Sequence, residues 1–228
     1  MTLNLIGHYD SPFVRRVGVT LHILGVPFER QLLSVFSNAD AVRAYNPVGR
    51  VPALVLEDGE VLIESAAILD HCDEVAGPER ALLPPRGAER RKALQLMAHA
   101  TAASDKAIAI IYEHRRNEAK IDVDWVARCR GQLERALAEI ERRLAEEPRL
   151  PDPLKQPGIT VATMLGYLRL RVAEAVPVGR YPRLDAFSAL AEVQPTYVAC
   201  QPTLPEIGGP PDKAQAALLR LRGDPSLA

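Results

Sequence analysis

The sequence predicts an α/β domain followed by an all-helical one, and three observations carry that prediction. Over the first 75 or so residues the apolar positions switch repeatedly between a period of two and the helical period. A stretch rich in Pro and Gly, AGPERALLPPRG at 76–87, then interrupts all periodicity, as a linker between domains does. Beyond it the strand patterns stop, and apolar residues recur at spacings of three and four.

The elements follow in order. Leu3 and Leu5 alternate as a short strand. Ser11 and Pro12 then open a helix: the hydroxyl caps free N–H groups of the first turn, and proline at the first helical position gives up an N–H that would be unpaired anyway. Val14, Val17, Leu21 and Leu24 line one face of that helix, which Gly25 and Pro27 end. Residues 28–34 suit a second strand, making a βαβ unit with a right-handed crossover. After a loop, PALVLEDGEVLIES sets two apolar runs around Asp58-Gly59, a dipeptide suited to the positive φ angles of a tight hairpin turn. A helix beginning near Ser65 carries Ile68, Leu69 and Cys72, so the order is β-α-β, loop, β-β-α.

In the second half, residues 88–117 form one helix through Leu94, Met97, Thr101, Ile108 and Ile111. Val126, Cys129, Leu133, Leu137, Ile140 and Leu144 form another, and shorter helices follow around 160–174 and 183–193. Past Cys200 the patterning weakens, although Asp212 and Gly223 can cap one short helix holding Leu218 and Leu219. The domain boundaries read as 1–77, a linker at 78–88, a helical domain at 89–202, and a tail at 203–228.

Composition excludes several classes of function. A formal net charge of −1 offers no field to attract a polyanion, so nucleic acid is not an expected partner. No apolar run approaches the roughly 20 residues that span a bilayer, and the polar start MTLNLIGHYDSP lacks the regions of a signal peptide. The expectation is a cytoplasmic protein without a membrane partner. Cys72, Cys129 and Cys200 are odd in number, widely separated and without a CxxC pair, which argues against disulfides and zinc; they read as buried small hydrophobes. The five histidines show no metal-ligand spacing, so no metal is expected.

Two segments carry a family resemblance. NPVGRVPALV at 46–55 is similar to the Asn-Pro-x-Gly-(Lys/Gln)-Val-Pro-x-Leu segment of glutathione transferases, and LIESAAIL at 62–69 to their (Glu/Asp)-Ser-x-Ala-Ile segment. Both occur in the family's order and spacing, ahead of a Leu-Leu-Pro-containing linker. The resemblance implies a thioredoxin-like α/β N-terminal domain plus an all-α helical C-terminal domain. SPFVRRV falls on the active-site turn where thioredoxin relatives carry Cys-Pro-x-Cys, with Ser11 and Val14 at the cysteine positions. Serine-type bacterial transferases and the zeta class are similar here, since they follow a serine with an Arg-Val pair, as at Arg16-Val17. The zeta class shows a Ser-Ser-Cys run where this chain has Ser11-Pro12-Phe13, so the turn is zeta-like without matching that class. A Ser/Thr-x-x-Asp cap of the family's second domain corresponds to Thr160-Val161-Ala162-Thr163, where Thr160 is expected to cap without its acidic partner.

The resemblance implies glutathione as co-substrate and assigns its contacts. Ser65, at a helix start, offers a hydroxyl and backbone N–H groups to the γ-glutamyl carboxylate, while Glu64 pairs with the ammonium group. Val51, before a cis Pro52, presents its backbone to the cysteinyl unit as an added strand would. Arg50 is a candidate contact for the glycine end, and Phe13 a further glutathione contact. Ser11 is the catalytic candidate, as a stabiliser of thiolate. A thiol of pKa about 8.5 is roughly 3% ionised at pH 7, and lowering the pKa by about 2 raises the thiolate population roughly 25-fold. Nucleophilicity falls with pKa, cancelling about 6- to 10-fold of that gain in thiol exchange, so positioning of the thiolate must contribute the larger share. Tyr9, Phe36 and Tyr112 are candidates for a hydrophobic electrophile pocket between the domains. The family further implies a homodimer. A non-catalytic glutathione-binding or protein-interaction member, and a glutathione-dependent isomerase or dehalogenase, are the alternatives; a glutaredoxin-like thiol transferase would need a cysteine at the turn.

Overall fold

Alternating apolar residues in Leu3–Ile6 place Leu5 at the centre of a four-stranded mixed sheet in a computed structural model that describes residues 2–208. The strand order is β2-β1-β3-β4. Strand β1 (Leu3–Ile6) runs parallel to β2 (Phe28–Gln31), with Leu3 opposite Phe28 and Ile6 opposite Gln31. Strands β3 (Ala53–Val55) and β4 (Val61–Ile63) are antiparallel, and β3 pairs antiparallel with β1. Helices α1 (Pro12–Leu24) and α3 (Ser65–Ala76) pack on each other and on the sheet. This is a thioredoxin-like domain, and all elements beyond α3 among the described residues are helical.

Several boundaries depart from expectation, each for a local reason. Residues read as a loop between β2 and β3 contain a helix, α2 (Ala39–Tyr45), which buries only Val42 and so leaves no periodic trace in the sequence. Strand β2 stops at Gln31 rather than Ser34, because its partner β1 ends at Ile6 and the chain turns at once, Leu33 N–H donating to Gln31 O at 3.0 Å. The hairpin closes around three residues: Gly59 N–H donates to Leu56 O and Leu56 N–H to Glu60 O, and Gly59 alone takes a positive φ, 92°. Thr160 caps nothing. Helix α6 (Gln156–Arg171) starts a turn earlier, with Pro157 in its first turn, so Thr160 lies inside it, buried, and its hydroxyl donates back to Gln156 O.

The helical half is built on α4 (Gly87–Glu113), α5 (Val123–Glu146) and α6, followed by α7 (Pro182–Glu192), α8 (Pro195–Ala199) and α9 (Leu204–Ile207). Helix α5 buries Cys129, Leu133, Leu137, Ile140 and Leu144, the stripe its spacing predicts. Helix α6 is buried on nearly every side and packs against α4, α7 and α1, so one continuous core joins the two halves. The linker is fastened rather than free: Leu82 and Leu83 donate N–H groups to Asp73 on α3, and Gln156 N–H donates to Leu82 O. All three cysteines are free and buried. No helix among the described residues is long and apolar enough to cross a membrane. The short helix expected between Asp212 and Gly223 lies outside the described residues.

Candidate functional site

The site grows from the N-terminal ends of α1 and α3, where backbone N–H groups lack helical partners and anions are favoured. Ser11 is the N-cap of α1, in extended geometry, and its Oγ accepts from Val14 N–H at 3.4 Å, with Pro12 in the first turn. That contact is long for a cap, and the hydroxyl is only part-buried. Among the described residues the hydroxyl donates to no histidine or carboxylate, so no base there activates it as a nucleophile.

At α3, Glu64 occupies the position before the helix with φ 64°, the one non-glycine residue with positive φ among those described. Its carboxylate is exposed and lies 3.5 Å from Arg50, which also stands 3.9 Å from Asp105 on α4. Burial pushes the Asp105 carboxyl up, with Arg50 opposing it. Ser65 follows, 2% exposed, and its Oγ accepts from Arg16 Nη2 at 2.6 Å. Arg16 is itself 4% exposed, stacks against Phe13, and keeps a buried Nε–H with no partner among the described residues. Burial lowers its pKa to about 10, opposed by Glu64 and Asp105. Val51 sits half-buried at the turn into β3, and the Val51–Pro52 bond is cis.

The structure therefore brings Ser11 and Phe13 together on α1, and links Ser65, Glu64 and Arg50 through Arg16 and Asp105. Sequence reasoning noted Arg16 only as part of an Arg-Val pair, and missed Asp105. A charged residue on a helix is by default a solvent-facing one, and no motif marks a lone Asp in mid-helix.

The aromatic candidates divide. Phe36, on the loop after β2, meets Tyr112, on the last turn of α4, edge to face at 5.2 Å, and both are about half exposed. The Arg115 guanidinium lies over the Phe36 ring at 3.6 Å. Tyr9 does not join them. It is 2% exposed, lies under the Arg30 guanidinium at 3.6 Å, and packs on α1 where Gly18 leaves room; a Cβ there would come within 2.5 Å of the ring. Tyr167 on α6 is the aromatic residue that sequence reasoning overlooked: its phenol senses Arg171, Asp10, Tyr112 and Arg115, and burial pushes its pKa up. Asp10, next to Ser11, is paired with Arg171. Phe36, Tyr112, Arg115, Tyr167, Asp10 and Arg171, drawn from both halves of the chain, thus stand in one neighbourhood.

A helix-start pair that can read an anion and a part-buried hydroxyl thus share one end of a thioredoxin-like domain joined to a helical one. The family profile described as "Glutathione S-transferase, N-terminal domain" matches residues 5–80. The uncharacterised GST-like protein YibF of Escherichia coli K12 is 30% identical over 169 residues, 74% of this chain and 83% of its own. Maleylacetoacetate isomerase of Pseudomonas aeruginosa is 25% identical over 217 residues, 88% of this chain and 96% of its own. A glutathione S-transferase of Methylobacterium radiotolerans, solved in complex with glutathione sulfonate, is 30% identical and superposes with a TM-score of 0.81, covering 89% of this chain and 95% of that one. The chain belongs to the cytosolic glutathione transferase family, and its fold is the family's fold.

Proposed function

We propose that the protein is a glutathione transferase in which Ser11 stabilises the thiolate of glutathione for conjugation to hydrophobic electrophiles. The observation that supports this reading is the buried Arg16, which donates from Nη2 to Ser65 at the start of α3 and keeps its Nε–H without an acceptor among the described residues. A buried donor without a partner is costly, and a ligand that brings carboxylate oxygens to this point relieves it. Glutathione supplies such a carboxylate, together with the thiol that is the nucleophile.

In this reading Ser65 and the first N–H groups of α3 receive the γ-glutamyl carboxylate, and Arg16 acts as a positioning residue that orients the Ser65 hydroxyl. Glu64 meets the ammonium group, and the backbone of Val51, ahead of Pro52, meets the cysteinyl unit. Arg50, loosely held by Glu64 and Asp105, and Phe13 are further glutathione contacts. Ser11 donates its hydroxyl proton toward sulfur while the α1 N-terminus adds its positive field. Residues 1–77 then form the glutathione domain and 89–202 the helical wall of a cytoplasmic homodimer, as the family implies.

Ser11→Ala tests the catalytic role. The ultraviolet absorbance of bound thiolate, followed against pH, is expected to place the thiol pKa of the variant near the free value of about 8.5, with a fall in kcat/KM toward an aromatic halide. A variant with both quantities unchanged would overturn the role. Glutathione binding without turnover across a broad electrophile panel would support the non-catalytic alternative instead. The match along 88% of the chain to maleylacetoacetate isomerase favours a second reading, glutathione-dependent isomerisation, although Ser11-Pro12-Phe13 lacks the Ser-Ser-Cys run of the zeta class.

A further inference from the structure

The aromatic pair Phe36 and Tyr112, whose phenol senses Asp10, the residue before Ser11, is not in an electrically neutral setting. Phe36 and Tyr112 offer two half-exposed rings at 5.2 Å, one from each half of the chain. Arg115 lies flat over Phe36, 3.6 Å from its centroid, and no carboxylate of the described residues stands within ion-pair distance of it. Its neighbour Arg116 is already paired with Glu113, and Arg171 is paired with Asp10. Stacking occupies the face of a guanidinium and leaves its in-plane N–H donors free, in a fork that matches a carboxylate. A purely apolar electrophile would use the rings and leave that fork idle.

We propose that the second substrate is an anionic electrophile: its flat or apolar body lies against Phe36 and Tyr112, and its carboxylate is taken by Arg115. This rests on the transferase reading above and narrows its substrate class from hydrophobic electrophiles to those carrying a negative charge. Arg115 is thereby a specificity residue; it is not hydrogen-bonded to Ser11 and takes no part in thiolate formation. Tyr112, which senses both Arg115 and Arg50, lies in the same positive field, with Asp10 the opposing charge.

The test uses the full chain and three stable conjugates: S-benzylglutathione and its 3- and 4-carboxybenzyl analogues, titrated calorimetrically into wild type, Arg115→Leu and Arg115→Lys. Wild type is expected to bind at least one carboxylate analogue about 10-fold more tightly than the parent conjugate, the scale of one charge-assisted hydrogen bond. That preference should vanish in Arg115→Leu, persist in part in Arg115→Lys, and shrink as salt is raised. A preference that is absent in wild type, or that survives Arg115→Leu within about twofold, overturns the proposal while leaving the transferase reading intact. Failure of glutathione and of every conjugate to bind wild type overturns both.

Discussion

A glutamate held at φ 64° costs about 1–2 kcal/mol that a glycine in the same place would not. Glu64 therefore offers a test that separates stability from the proposed binding role. In Glu64→Gly the relieved backbone is offset by the greater freedom of glycine in the unfolded chain, about 0.5–1 kcal/mol. The expected outcome is a urea unfolding free energy within about 1 kcal/mol of wild type, together with a loss of glutathione affinity of about 10-fold or more on calorimetry. Equal affinity would remove Glu64 from the site. Ser11 is the contrasting case: its capping distance of 3.4 Å makes the stabilising role small, so Ser11→Ala should unfold only slightly more easily while changing the bound thiol. The chemistry of both residues is legible in the chain. The positive φ of Glu64 is not, because nothing in an Ile-Glu-Ser run asks for a left-handed turn.

At the scale of elements, the shortest helix carries a disproportionate share of contacts. Helix α9 presents Glu206, whose carboxylate accepts from Tyr9 N–H at 2.9 Å, from Arg30 at 2.9 Å and from the N–H and hydroxyl of Thr203. It thereby ties the end of the described chain to the β1–α1 turn. Burial alone would raise the carboxyl's pKa, but these donors hold it below the usual value. Its folded pKa lies below its unfolded one, so its stabilisation is present above about pH 4.3 and is lost as pH falls through the folded value. Glu206→Gln should lower the unfolding free energy by about 2 kcal/mol at pH 7, and the difference should close below about pH 4 in urea unfolding. A pH-independent difference would mean that shape, not charge, is what Gln fails to replace. Helix α9 and helix α2 both escaped the sequence reading. With four and seven residues, each buries too few side chains to display a period, whereas α1 and α5, with caps and full apolar stripes, are plain.

Across the whole molecule, α1 joins the halves through a buried ion pair. Arg15 binds Glu192 of α7 in bidentate fashion at 2.8 and 2.6 Å, and its Nε donates to Cys200 O. Burial opposes the Arg15 charge, and Glu192 holds it. Removing one partner leaves a buried charge alone, at a cost of about 3–5 kcal/mol, while removing both costs far less. Glu192→Gln is expected to fall in that range, with Arg15→Met combined with Glu192→Leu recovering most of the loss in a double-mutant cycle. Additive losses would show that the two residues act separately.

The α/β-then-α order, the hairpin, the Ser11 cap and the family motifs were legible in the chain, because capping, period and turn chemistry act over a few residues, whereas the start of α6, and with it Thr160, was not. What packing alone decided is where the charges went. Arg15 and Arg16 are adjacent and chemically alike, yet one is buried toward α7 and the other toward α3, because α1 is enclosed on both sides by segments 49 to 177 residues away. The same enclosure took Tyr9 into the core, and the approach of the turn after α4 to the loop after β2 set Arg115 over Phe36. Burial is a property of neighbours, and those neighbours arrive from distant parts of the chain.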